Sequence, residues 1–337
     1  MSSQGMKYLS VGEEFVGYCV IRRKELKYKK SGEPYLKLEV GDTSGRLSAK
    51  SWKNAETLFE RLKTGQIVKI RGQIQWYQNF KELNILQIRR IRPDEADSCQ
   101  DLLPRSRKDI SGLLQKFQTH LDSITCPYLM KLLTLVFEDG FPVEEYVKMP
   151  SGKLWHHNYL YGNLEHLVCL MDITDAICMH YRQLDGELLK TAVIIHNVGV
   201  PTEFSRDGFI DYTTSGRLLG HVYLALSRVH EKIDEIENFP DRLKLHLLHI
   251  ISSQNSFCND DPGVKAMSLE AIVFSLMKFM DMQVNAAERI LHYDKLPGSE
   301  WTTFNRLFKR FLYGGQKLKN EGADESEEEN ITAPVEE

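Results

Sequence analysis

Between residues 15 and 91 the chain alternates apolar and polar positions in short runs separated by turn-forming residues, the period-two pattern of half-buried strands. Phe15–Ile21 is a run of strand formers, and Tyr35–Val40 alternates from Leu36 onward. The segment Gly41–Gly45 reads as a turn, Arg46–Trp52 as a third strand, and Ile67–Ile74 and Leu83–Ile91 as a fourth and fifth. Ala55–Lys63 has helical spacing instead, with Leu58, Phe59 and Leu62 on one side. The basic stretch Lys27–Gly32 is expected to be the first hairpin loop, and Trp76–Phe80 a later loop. Five strands with a short helix between the third and fourth is the order of an OB-fold barrel.

After residue 100 the period changes to that of helices. Leu113, Leu114, Phe117, Leu121 and Ile124 form one stripe, and Leu129, Leu132, Leu133, Leu135 and Val136 another. Further helices are expected over residues 163–181, 186–196, 215–236, 241–252, 268–292 and 302–312. Residues 93–108, with Pro93, Pro104 and many charges, read as a connection. The expected fold is multidomain, an N-terminal all-β OB-fold barrel followed by an all-α helical domain. The boundaries are 1–93 for the barrel, 94–150 for a linker and connecting helices, 151–315 for the helical domain and 316–337 for an acidic disordered tail.

Composition narrows the function classes. At 337 residues, 42% apolar and 27% charged, the chain can bury the cores of two or three domains. No apolar run approaches the ~20 residues of a membrane span, and the first residues lack an apolar signal core. The six cysteines are scattered without a CxxC pair. They read as reduced, mostly buried thiols of a cytoplasmic protein, and a zinc ribbon or disulfide scaffold is excluded. Walker phosphate loops and dinucleotide fingerprints are also missing from the sequence.

The net charge of −4 hides an asymmetry. Residues 1–93 hold 19 Lys and Arg against 9 Asp and Glu, whereas residues 321–337 hold 8 acids and no Lys or Arg. A basic first domain implies a polyanionic partner. Single strands are held by cations that track the phosphates and by rings on which bases stack. The candidates are Lys27, Tyr28, Lys30, Tyr35, Trp52, Trp76, Tyr77 and Phe80. They suit single-stranded RNA or DNA without base-specific readout. Oligomeric state is not legible.

All eleven histidines follow residue 119. His156 and His157 are adjacent, His166 follows Leu164-Glu165, His196 precedes Asn197-Val198-Gly199, and His221 follows Gly220. Spacing alone leaves a metal site and ordinary core histidines both open.

Three segments in order resemble the YhaM-type family of 3′–5′ exoribonucleases, which joins an OB-fold to an HD-superfamily phosphohydrolase domain. They are Ser31–Leu36 with Gly41–Gly45 and Lys50-Ser51-Trp52; His156–Tyr159 with Gly162–His166; and Ile195–Gly199 with Leu218–His221. The resemblance implies an HD-type helical domain, divalent Mn or Mg held by His and Asp, and attack of metal-activated water on the RNA 3′ end.

The sequence departs from that pattern at its carboxylates. The signature His-Asp is His196-Asn197, the Lys that usually follows is Val200, the later paired histidines fall on Gln254 and Asn255, and Lys278 stands where a ligand Asp is expected. The surviving set is His166, His196 and His221, with Asp281 about one helical turn from Lys278 as a substitute ligand and His156 and His157 outside the core set. Asn197, Val200 and Lys278 then read as vestigial catalytic positions, because hard cations depend on oxygen anions. The reading favoured is a single-strand nucleic-acid-binding protein whose HD site is attenuated or non-catalytic. The alternative is an active metal-dependent 3′–5′ exoribonuclease with an altered ligand set. A protein-interaction scaffold is a third, favoured if Trp52, Trp76 and Tyr77 are buried.

Overall fold

The computed structural model describes residues 5–6, 8–42, 44–77, 80–95, 102, 104–138, 141–153, 156–205, 210–257, 263–293 and 299–315. The acidic tail, Thr43, Gln78-Asn79, Cys99 and Cys258 lie outside the described residues. The chain divides into two compact units, 1–288 and 289–337.

The first unit begins with a closed barrel of β1 (Glu14–Tyr28), β2 (Pro34–Asp42), β3 (Gly45–Ser51), β4 (Ile67–Tyr77) and β5 (Phe80–Arg90), in the order β1-β2-β3-β5-β4. Helix α1 (Ala55–Arg61) sits between β3 and β4. Pleating sends alternate residues inward, so Leu36, Leu38 and Val40 are buried while Lys37 and Glu39 are half-buried. Val68, Ile70 and Ile74 of β4 and Leu83 of β5 complete the same core, each such side chain contributing roughly 1.5–3 kcal/mol by burial. Closure is antiparallel except for the parallel β3–β5 pair, Ser48–Ser51 against Glu82–Ile85. The end of α1 is held by Lys24, whose ammonium donates to the carbonyls of Phe59 and Leu62 at 2.5 and 2.6 Å.

The strands run past their predicted ends. β1 continues through Tyr28, so Lys27 and Tyr28 lie on a strand rather than in a loop. Trp76 and Tyr77 close β4, and Phe80 opens β5 opposite Tyr77, where a loop is expected. Hairpin pairing explains both, because each residue keeps a cross-strand partner.

The connection is strapped down. Pro104 accepts from the Leu160 N–H at 2.7 Å, Ser106 N donates to Leu160 O at 2.9 Å, and Lys108 pairs with Glu165 at 3.0 Å. The helices that follow are α2 (Ile110–Asp122), α3 (Pro127–Phe137), α4 (Val143–Lys148), α5 (Gly162–His180), α6 (Gly186–Ile195), α7 (Val200–Glu203), α8 (Thr214–Asp234), α9 (Asp241–Ser252) and α10 (Leu269–Tyr293). A two-stranded ribbon, β6 (Phe204–Ser205) with β7 (Asp211–Tyr212), interrupts them. Helix α5 is the spine: Gly162–Val168 is buried on every side, which is why its sequence shows no clean polar face. It packs with α6 in one core shared by α2, α3, α8, α9 and α10.

The helix expected over 302–312 does not form. Trp301 bridges Tyr313 and Asn305 bridges Arg310, with Lys309 at φ 52°. The rings of Trp301 and Tyr313 lie 5.0 Å apart and those of Phe304 and Phe311 5.5 Å apart. A spacing that looks helical here serves cross-hairpin aromatic pairs. The thiols are also less buried than expected: Cys19 is buried, but Cys126, Cys169 and Cys178 are half-buried, and all four are free.

Candidate nucleic-acid face and histidine pocket

On the barrel, the outward positions of β2, β3, β4 and β5 gather one aromatic and cationic patch. Trp52, just past β3, lies against Tyr35 with ring centroids 5.0 Å apart and planes 33° apart. The Lys29 ammonium is 5.0 Å from the Trp52 ring. Lys50 is buried beneath Tyr77, its ammonium 3.3 Å from the ring centroid and 3.0 Å from Glu82. Trp52 (39% exposed), Tyr77 (47%), Phe80 and Tyr28 keep faces in solvent. Trp76 is also exposed, but it follows the register of the buried Ile70 and Ile74, so pleating puts it on the opposite face from Tyr77. The exposure of Trp52, Trp76 and Tyr77 removes the premise of the scaffold reading. Lys27 and Lys30 are exposed, and Lys27 is tied to Glu25 at 3.2 Å. Lys29 belongs to the basic stretch expected to form the first loop, whereas Lys50 is not among the sequence candidates; the register Lys37↔Lys50 and Ser48↔Glu82 is what brings Lys50 into the patch.

In the helical region, four elements deliver imidazoles and a carboxylate to one place. His166 is in the first turns of α5, His196 caps the C-terminus of α6, and His156 and His157 come from the loop before α5. That loop can approach because Gly162 has no Cβ; one there would collide with the His157 carbonyl. Asn285 of α10 accepts from the His157 N–H at 2.8 Å. His156, His157 and His166 are buried with ligand nitrogens within 4.8 Å of one another, so the paired histidines belong to the cluster rather than outside it. The His166 and His196 rings are 5.4 Å apart.

Asp281 of α10 reaches this cluster from 115 residues away: its Oδ2 is 2.5 Å from His166 Nδ1 and 3.7 Å from His157 Nδ1. Burial pushes the carboxyl up, but His166 and His157 outweigh it and bring it down to about 2. Burial and the same carboxylate push the neighbouring Cys169 thiol up to about 12. Burial drives His156 and His196 well below the ordinary imidazole range, with Lys278 adding to the effect at both. His221 is tied to a different carboxylate. It follows Gly220, whose φ of 73° breaks α8, and the freed His221 N–H donates to Glu203 Oε1 at 3.1 Å while its Nδ1 lies 3.3 Å from the same oxygen.

The positions that depart from the family pattern are locked in place. Asn197 Nδ2 donates to Ser151 Oγ and Asn163 Oδ1, both at 3.0 Å. Lys278, buried, donates to Gln254 Oε1 at 2.5 Å and Asn255 Oδ1 at 2.9 Å. Val200 is buried at the start of α7 and packs with Met149, Leu160, Phe204 and Ile210. Such a cluster offers many ring nitrogens and few oxygen anions.

A closed five-stranded barrel of OB type followed by a mostly helical region is therefore the class of this protein. Residues 20–91 match the family model described as an OB-fold nucleic acid binding domain. Over 321 residues the chain is 25% identical to the 3′–5′ exoribonuclease YhaM of Oceanobacillus iheyensis, covering 94% of this chain and 99% of that protein; it is a homologue of that enzyme. Among solved structures, PriB from Ralstonia solanacearum aligns over 25% of this chain and 100% of its own, at 9% identity and TM-score 0.23. The second OB-fold domain of replication protein A from Methanococcus maripaludis aligns over 26% of this chain and 94% of its own, at 16% identity and TM-score 0.22. Among the described residues, no helix is long and apolar enough to cross a membrane.

Proposed function

We propose that the chain binds single-stranded nucleic acid on the barrel and that its HD-type domain is attenuated as a phosphodiesterase. The observation that carries the first half is the patch of Tyr35, Trp52 and Tyr77 built around Lys29 and Lys50: exposed rings with ammonium groups already against their faces. Stacking on rings and contact with phosphates are indifferent to base identity, so binding is sequence-tolerant. The second half is supported by the donor set. Manganese and magnesium favour oxygen anions, but Asn197 presents an NH₂ to its neighbours and Lys278 brings a cation. Asp281 is hydrogen-bonded to an imidazole. When bound, divalent ions would supply the activated water and neutralise the phosphate. His166 and His196 are the side chains that would hold them; Asp281 would join only by turning from His166 Nδ1, and His221 only by turning from Glu203.

A second reading, an active 3′–5′ exoribonuclease with an altered ligand set, is favoured by one observation: Asp281 does meet His166. A 5′-labelled single-stranded RNA separates the two. Retardation on a native gel with no shortening in manganese is the expected result. Manganese-dependent loss of 3′ nucleotides, abolished by His166→Ala and His196→Ala, would overturn the attenuated reading and leave the binding reading standing.

A further inference from the structure

We propose that Lys278 is a built-in replacement for a second metal ion, and that the pocket takes a single first-row cation of the zinc or cobalt class on imidazole nitrogens. The inference deepens the attenuated reading and rests on it only for the location of the site.

Hydrogen bonding selects the tautomer that each neutral ring adopts. His196 Nδ1 faces the Val193 carbonyl at 2.7 Å, and a carbonyl can only accept, so Nδ1 carries the proton and Nε2 a lone pair. His166 Nδ1 faces the Asp281 carboxylate at 2.5 Å, so in the neutral ring Nδ1 donates and Nε2 holds the lone pair. Both Nε2 atoms are buried with no hydrogen-bond partner. Two buried ring nitrogens without a partner, on rings 5.4 Å apart and each opposite a nitrogen held by an acceptor, are the arrangement of metal-ligating imidazoles. His156 and His157 add further ring nitrogens on the other side of His166, the three rings presenting ligand atoms within 4.8 Å of one another. Neutral imidazoles suit zinc, cobalt or nickel; they do not suit manganese or magnesium.

Lys278 accounts for why there is one ion and not two. Its ammonium is held by two side-chain amide oxygens, the kind of oxygens a cation takes. Gln254 cannot turn away, because its Nε2 donates to the Ile251 carbonyl at 3.1 Å and so Oε1 must face the lysine. A second divalent ion in this pocket would have to sit beside a fixed positive charge.

The test uses the full chain stripped with a chelator and titrated, without RNA, with cobalt, zinc, manganese and magnesium. Cobalt is followed by its visible absorption and all four by calorimetry. The expected result is one cobalt or zinc per chain, with manganese and magnesium at least ~100-fold weaker. His166→Ala and His196→Ala should abolish the cobalt spectrum. Lys278→Met, with Lys278→Asp as a second variant in case either fails to fold by circular dichroism, should raise manganese affinity by about 10-fold or more. Two manganese ions per wild-type chain, or no cobalt retained at a His166-dependent site, would overturn the proposal. Manganese affinity unchanged in a folded Lys278 variant would overturn the role given to the lysine. Because RNA is absent from these titrations, their outcome is independent of whether the barrel binds RNA.

Discussion

Asn197 donates its side-chain N–H to Asn163 Oδ1 at 3.0 Å, and the direction of that bond is forced. Asn163 Nδ2 donates to the Tyr146 carbonyl at 3.1 Å, so only its oxygen is left to face Asn197. A carboxylate at 197 would point oxygen at oxygen. Asn197→Asp should therefore cost about 1–3 kcal/mol at pH 7, measured by thermal or urea denaturation. Like-polarity contact raises the new carboxyl pKa, so the deficit should shrink as pH falls and the group protonates into a donor. A variant as stable as the parent at pH 7 would show that the position is not built around an amide.

Trp52→Ala removes a base platform that is partly in solvent and stacked on Tyr35. Stacking of one base is worth ~1–3 kcal/mol, so single-stranded RNA affinity should fall by roughly 5- to 150-fold. The salt dependence of binding should stay the same, because no phosphate contact is lost. Lys29→Ala should do the reverse, lowering the salt slope by about one ion with a smaller loss of affinity. Fluorescence anisotropy at several salt concentrations distinguishes the two.

The Lys50–Glu82 pair is buried on both sides at 3.0 Å. Removing one partner leaves an uncompensated charge, so Lys50→Met alone should destabilise the barrel by about 3–5 kcal/mol. The double change Lys50→Met with Glu82→Leu should recover much of that. Equal losses in the single and double variants, by urea denaturation, would contradict a coupled pair.

Glu187 reaches back from α6 to the entry of α3, accepting from Thr125 Oγ1 and N at 2.7 and 3.0 Å and from Cys126 N at 2.7 Å. Thr125's side chain and the Cys126 N–H hold its carboxyl below the usual range. A depressed carboxylate stabilises the fold above its ordinary pKa of about 4.5 and loses that contribution as pH falls through the lower folded value. After allowance for solvent screening the effect is roughly 1 kcal/mol. Glu187→Gln should flatten the stability profile below pH 5 and lower stability at pH 7 by about that amount.

The sequence by itself determined the elements whose burial follows local periodicity. Leu36–Val40 reads as a strand because its inward face is every second residue, and 241–252 as a helix because its apolar residues recur at the helical period. It also determined the order of motifs that marks the homology, and the departures at Asn197 and Lys278. That Asp281 lies about one turn beyond Lys278 follows from helical geometry. That it touches His166 does not, because the contact spans 115 residues and depends on how α10 crosses α5. Only the tertiary structure separated Trp76 from Tyr77 onto opposite faces, put Lys50 beneath a ring, turned an aromatic spacing near residue 305 into a hairpin, and oriented the amides of Asn163 and Gln254. For Lys50 and Asp281 the deciding partner is remote in the chain, and for the two amides it is a backbone carbonyl that accepts and never donates; no local pattern of hydrophobic and polar residues encodes either.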